Sequence, residues 1–159
     1  MQNPVKTYTI EEAKRSLERY CAYQERCHQE VGRRLREMRM IPAAIDLVTA
    51  HLIEHDFLNE SRFAQAFARG KFNHKSWGKG RIERELKARK ISAFNMKLAL
   101  KEIDPEQYLL AFEALSRKRF EQLSSEKDKY RKRKKLADYL LYRGWEAHWV
   151  YDKVKELIP

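Results

Sequence analysis

The sequence predicts an all-α protein built as three tandem three-helix repeats in an elongated, curved array of modules. Three observations carry this. Five glycines and four prolines in 159 residues leave few turn signals for hairpins, while Glu, Lys, Arg, Leu and Ala, the helix formers, dominate. Apolar residues recur at three- and four-residue spacing through most of the chain. Matching apolar positions also recur at a period near fifty residues, the signature of a repeat architecture. With roughly 150 residues per domain as a guide, the length suits one compact domain or a short array of small modules, and excludes a large multidomain enzyme. At 43% hydrophobic and 11% aromatic residues the chain has enough apolar surface to fold despite its charge.

Thr9 and Glu12 have the spacing of a capping box ahead of Ala13, Leu17, Tyr20 and Cys21 or Gln24, which predicts a first helix over about 10–24. Val31, Leu35 and Met38 mark a second. Ile41-Pro42 opens a third, because proline at the first helical position gives up an amide that has no intrahelical partner; Ile45, Val48, Leu52 and Ile53 form its buried face. Asn59 caps a fourth helix holding Phe63, Ala66 and Phe67. Gly78 and Gly80 loosen the chain before a fifth with Ile82 and Leu86, and Ser92 caps a sixth. Asp104-Pro105-Glu106 combines a cap, a first-turn proline and an acid at the positive end of the helix dipole, and begins a seventh helix through about Leu123. Ser125 is the expected cap of the eighth, Gly144 closes it, and a ninth ends near Leu157.

Setting Val31, Ile82 and Leu136 in register aligns Leu35 with Leu86 and Leu140, Met40 with Ile91 and Trp145, and Ile45 with Met96 and Val150. The alignment continues through Thr49, Leu100 and Val154 to Leu52, Ile103 and Leu157. It divides the chain into an N-terminal extension (1–9) and repeats at 10–58, 59–104 and 105–159.

The net charge of +11 favours a polyanionic partner, nucleic acid or an acidic protein surface. That charge is segregated. Residues 62–101 hold twelve Lys or Arg against Glu83 and Glu85, and 117–135 hold ten against Glu121, Glu126 and Asp128. Ahead of the first lies 40–61 and between the two lies 102–116, both acidic, each with four carboxylates and no Lys or Arg. A solvated surface usually interleaves the signs. On the fifth helix, at about 100° per residue, Ile82 and Leu86 face the core and Arg84 points away, flanked by Arg81 and Lys87. Lys79 lies between Gly78 and Gly80, whose missing side chains would let a phosphate or an acidic partner approach the backbone. Phe72, Trp77 and Trp145 read as core aromatics, with Trp77, beside that loop, the candidate for stacking.

No catalytic, cofactor or metal site is expected. The spacing of a phosphate-binding GxxxxGK[ST] loop is absent, as is GxGxxG. His51 and His55 share a helix face at i, i+4, and Cys21, Cys27 and His28 lie in the same repeat, but no CxxC or HExxH accompanies them. Cys21 and Cys27 would stand about 9 Å apart on a continuous helix, too far to bridge. No apolar run is long enough for a membrane span, and Met1 to Thr9 lacks the apolar stretch of a signal peptide, so a cytoplasmic location is expected. A monomer is expected too, since no heptad or other dimer seam is evident.

Three segments in this order resemble the RecX family, bacterial regulators of the RecA recombinase: Leu58-Asn59-Glu60-Ser61-Arg62-Phe63-Ala64, then Gly78-Lys79-Gly80-Arg81-Ile82 with Glu85-Leu86, then Tyr139-Leu140 with Arg143-Gly144-Trp145. The resemblance runs from about Thr9 to Leu157. Glu60 stands where that family commonly has Asp, Cys27 where Ser is frequent, and Lys90 where a helix-ending Gly is usual.

The resemblance implies a protein that lies in the groove of a RecA filament on single-stranded DNA and lowers its ATPase, strand-exchange and co-protease activities in DNA repair, recombination and the SOS response, without a cofactor of its own. By position, the contacts it implies are Lys79, Arg81, Arg84 and Lys87, then Arg62, Arg69, Lys71 and Lys75, with Lys132, Arg133, Lys134 and Lys135 as a second patch. The alternative is a stand-alone basic helical DNA-binding protein, since a small three-helix unit with a basic helix also describes helix-turn-helix readers. Weak direct nucleic-acid binding is compatible with both.

Overall fold

The computed structural model describes residues 5–159; Met1 to Pro4, the start of the expected extension, lie outside the described residues. Nine α-helices account for the ordered elements among them, with no strand. They are α1 (Ile10–Tyr23), α2 (His28–Glu37), α3 (Pro42–Glu54), α4 (Glu60–Lys75), α5 (Lys79–Ala88), α6 (Ala93–Lys101), α7 (Pro105–Gln122), α8 (Lys129–Tyr142) and α9 (Ala147–Leu157). Helices pack mainly within successive triplets: α3 lies on α1 and α2, α6 on α4 and α5, and α8 on α7 and α9.

The starts follow the local chemistry. Thr9 and Glu12 exchange both bonds of a capping box, at 3.1 and 3.2 Å. Asn59, Ser92 and Asp104 each accept the amide three residues on. The eighth start differs from expectation: Asp128, not Ser125, accepts the Arg131 amide at 3.0 Å. The end of α7 first tightens through Leu123, which is buried, and the amides of Ser124 and Glu126 turn back onto Glu121 and Leu123. The helix can restart only after that turn, where a carboxylate meets the positive end of its dipole.

The turn after the second helix is the same in every triplet. Arg39, Lys90 and Gly144 all adopt positive φ, at 60°, 59° and 88°. The next amide bonds back to the helix, Met40 to Leu35 at 3.1 Å, Ile91 to Leu86 at 3.1 Å and Trp145 to Leu140 at 3.3 Å. Each such residue is apolar and tucks under the turn, as a left-handed helix stop requires. Lys90 thus keeps the turn although it lacks glycine's freedom. Lys90→Gly is expected to stabilise the chain by about 0.5 kcal/mol, the relief of left-handed strain less glycine's unfolded-state entropy. Thermal denaturation should show a rise of about 1–2 °C.

The apolar interior has two parts. One lies within α1–α3 and is built on Leu17, Val31, Leu35, Val48, Leu52 and Leu58. The other runs without a break from α4 to α9, joining Ala64, Ile82 and Leu86 to Leu136, Leu140 and Val150. Its link is aromatic: Tyr108 and Phe112 of α7 lie 4.6 and 5.3 Å from the Trp145 ring, and Phe72 of α4 lies 5.8 Å from Tyr108. Trp145 and Phe72 are therefore core residues, as their spacing suggested. Cys21 and Cys27 are both free thiols, and burial pushes the Cys21 thiol up to about 11.

Candidate functional site

The start of α5 is where the sequence places its strongest basic motif, and the structure assigns its glycines a different use. A Cβ on Gly78 would come within 2.6 Å of the Gly144 carbonyl, and one on Gly80 within 2.9 Å of the same oxygen. The space beside these glycines is filled by the α8–α9 turn, not left open to a phosphate or an acidic partner. The amides of the first turn, which have no intrahelical partner, are also taken. Gly78 N–H donates to Arg143 O at 2.8 Å, Gly80 N–H to Gly144 O at 3.0 Å, and Lys79 N–H to the Tyr108 hydroxyl at 2.9 Å. Tyr108 in turn donates to the Glu146 carboxylate at 2.8 Å. Burial, with that carboxylate beside it, pushes the phenol well above its ordinary range, so it stays a donor at any physiological pH. Trp145 Nε1–H closes the seam on Ser76 O at 3.1 Å. Anion binding at this helix start must therefore come from side chains.

Those side chains fall into three groups. Arg84 and Lys75 are exposed and meet no carboxylate among the described residues, which places Arg84 on the outer face expected of it. Lys79, Arg81 and Lys71 lie over rings. Lys79 Nζ is 4.7 Å from the Tyr108 centroid, the Arg81 guanidinium 4.1 Å from Trp77, and Lys71 Nζ 5.0 Å from Trp77. Trp77 is half-buried against Phe67 and serves as a platform for cations. Arg62, Arg69 and Lys87 are paired: Arg62 with Glu25 at 2.6 Å and Asp56 at 3.1 Å, Arg69 with Glu102 at 3.3 Å, Lys87 with Glu83 at 3.8 Å. The hydrogen bond to Glu25 raises the Arg62 pKa further, and its Nη2–H also reaches Asp56 O at 2.9 Å. Arg62 thereby ties α4 to the ends of α1 and α3.

Along α4, where the α1–α2 connection and the end of α5 approach it, runs a groove of about 540 Å³, with Phe63 and Phe67 in its lining, Lys71, Lys75 and Arg89 as cations and Glu25 as an acid. The second candidate patch does not form one surface, because four consecutive helical residues fan out through most of a turn. Lys132 lies over Phe120 at 4.5 Å and Arg133 donates to Ile158 O at 2.9 Å. Lys134 and Lys135 pair with Asp138 at 2.7 Å and Glu126 at 2.6 Å. Sequence reasoning passed over Arg119 and Arg143, which both lie over Tyr139, at 4.7 and 4.0 Å. The Tyr139–Arg143 spacing of four on one helix was the available signal.

His51 stacks near His55 at 4.4 Å and pairs with Glu18 at 3.2 Å, so the i, i+4 histidines serve a helix contact. No cluster of three or more metal-ligating side chains occurs among the described residues, and no helix is long and apolar enough to cross a membrane.

Residues 59–100 match the family model described as RecX, second three-helix domain. The chain is 29% identical over 132 residues to the regulatory protein RecX of Clostridium acetobutylicum, covering 81% of this chain and 61% of the relative. It is 31% identical over 105 residues to the regulatory protein RecX of Escherichia coli, covering 66% and 61%. The crystal structure of RecX from Lactobacillus salivarius superposes with a TM-score of 0.76 at 22% identity over 93% of this chain and 96% of that one. A second crystal structure, of a regulatory protein RecX, gives 0.79 at 20% identity, covering 92% and 71%.

Residues 59–100 are thus similar to a RecX three-helix domain, and most of the chain to proteins named regulatory protein RecX. The matched relatives carry the name regulatory protein. The all-helical fold is the one seen in RecX crystal structures. The chain spans about three fifths of the length of the curated relatives it matches. The basic motif on α4 and α5 lies inside the matched second domain.

Proposed function

We propose that this protein is a RecX-type regulator that binds the RecA filament on single-stranded DNA and inhibits it, lowering ATP hydrolysis, strand exchange and co-protease activity. The observation that carries the proposal is the cationic side of α4 and α5. Exposed Lys75 shares α4 with Lys71, and exposed Arg84 and Lys87 share α5 with Lys79 and Arg81; aromatic rings hold Lys71, Lys79 and Arg81, and the tight seam with the α8–α9 turn fixes the start of α5. Such a face complements acidic protein walls and phosphates alike. The units of this reading are the repeats at 10–58, 59–104 and 105–159, a row of modules suited to following a helical groove. The protein acts in the cytoplasm as a monomer, by occupying surface and not by chemistry, and needs no cofactor.

The test is ATP hydrolysis by the cognate RecA on single-stranded DNA as the protein is titrated in, with an unrelated basic protein as control. Inhibition well below one protein per recombinase, absent from the control, is expected. No effect, or inhibition only once the DNA itself is saturated, would overturn the regulator reading in favour of plain DNA binding.

A further inference from the structure

Arginines elsewhere on this surface commonly meet a carboxylate, as Arg15 does Glu18, Arg34 does Glu37 and Arg89 does Glu85. Arg81, Arg119 and Arg143 meet none among the described residues and are held on aromatic rings. Arg81 lies between Trp77 and Tyr142, at 4.1 and 4.6 Å from their centroids, while Arg119 and Arg143 share Tyr139. The Nε donors of Arg119 and Arg143 are buried without an acceptor. Tyr139 and Tyr142 line one open cleft of about 570 Å³ with Arg119, Lys135 and Asp138. Lys134 already holds Asp138 at 2.7 Å, and Glu126 holds Lys135 at 2.6 Å, so the Arg119 guanidinium dominates the field of the cleft, with Arg143 and Arg81 beside it on the rings of Tyr139 and Tyr142. Tyr142 is 67% exposed, with Arg81 over its ring.

A guanidinium resting on a ring keeps its in-plane donors for an anion, and a rigid one loses little entropy when it binds. An exposed ring among such cations adds a stacking face. Cationic donors together with a stacking platform are what a flexible single strand uses, whereas a duplex hides its base faces and an acidic peptide has no use for the ring. We propose that this cleft on α7 and α8 binds single-stranded nucleic acid, with Arg81, Arg119 and Arg143 on the phosphates and a base stacked on Tyr142. The proposal rests on the filament reading for its setting and names the component of the filament that this second face touches. Its test uses no recombinase, so the two readings fail separately.

Binding of the intact chain to a fluorescently labelled oligothymidylate is measured by anisotropy across a salt series, with helicity followed by circular dichroism. Tyr142→Leu should weaken binding about tenfold while leaving the salt slope unchanged, because it removes stacking and no charge. Tyr142→Trp should retain wild-type affinity. Arg119→Gln should weaken binding and reduce the slope by about 0.7, one phosphate contact on a single strand. Lys97→Gln on α6, an equal charge change outside the cleft, should do neither. The assignment is overturned if the wild type shows no saturable binding, if Tyr142→Leu binds like the wild type, or if Lys97→Gln matches Arg119→Gln. It is also overturned, in favour of an acidic peptide, if polyglutamate competes as well as oligothymidylate and depends equally on Tyr142.

Discussion

Gly144→Ala is expected to lower the stability of the chain by about 4 kcal/mol, a fall in Tm on the order of 10 °C. Two effects combine. At φ 88° an L side chain carries left-handed strain of about 1–2 kcal/mol. The new methyl would also collide with the backbone of Arg81, so the α8–α9 turn must back away from the start of α5. That movement breaks the Gly78 bond to Arg143 O and the Gly80 bond to Gly144 O, each worth about 1 kcal/mol when satisfied and more when its donor is left buried and unpaired. The control is Gly70→Ala. Gly70 sits inside α4 with nothing within 4 Å of a Cβ, so alanine there should raise stability by about 0.8 kcal/mol through helix propensity alone. Thermal melts of the two variants should move in opposite directions. A Gly144→Ala protein that melts within a degree or two of the wild type would mean that the seam is not where the stability lies.

The seam also marks the limit of what the sequence discloses. Helix positions follow from local chemistry, so capping and periodicity located them, and the repeat register was legible because each triplet must bury the same face. Val31, Ile82 and Leu136 are all fully buried, as are Leu35, Leu86 and Leu140. The register loosens in each third helix, where Thr49 and Leu100 are half-buried and the neighbouring column Val48, Ala99 and Lys153 goes inside. Lys153 violates the apolar pattern there because Glu113 at 2.5 Å and Glu156 at 2.7 Å accompany it. A pairing between α7 and α9 leaves no local trace. Gly78 and Gly80 suggested open space for the same reason: a missing side chain looks alike whether a ligand or another part of the chain fills the gap.

The candidate site was legible as charge but not as geometry. Segregation of sign located α4 and α5, because it depends on composition along the chain. Which cations are free depends on partners distant in sequence, such as Glu25 for Arg62 and Glu102 for Arg69. The run from Lys132 to Lys135 looked like a patch only while its residues were written in a line.

The second large effect is expected from Arg84→Glu combined with Lys87→Glu: about a hundredfold more protein needed to inhibit the filament, with helicity retained. These two positions isolate charge from packing. Arg84 and Lys87 are both exposed, and among the described residues the one ion pair that either makes is Lys87 with Glu83, at 3.8 Å. Reversing Arg81 would be less clean, since its guanidinium also packs on Trp77 and Tyr142. Within α5 the change sets Glu83 against a new acid at i+4, a cost of about 0.5 kcal/mol that leaves the fold intact. At a negatively charged partner the same change replaces two attractions by two repulsions, and juxtaposed like charges cost several kcal/mol. Titration of ATPase inhibition, paired with circular dichroism, measures both sides of this balance. The neutral pair Arg84→Gln and Lys87→Gln should fall between wild type and the reversed protein, and should show a shallower salt dependence. Inhibition by the reversed protein at the wild-type ratio would mean that the filament meets another face, and that the cations of α5 are no more than a solvated surface.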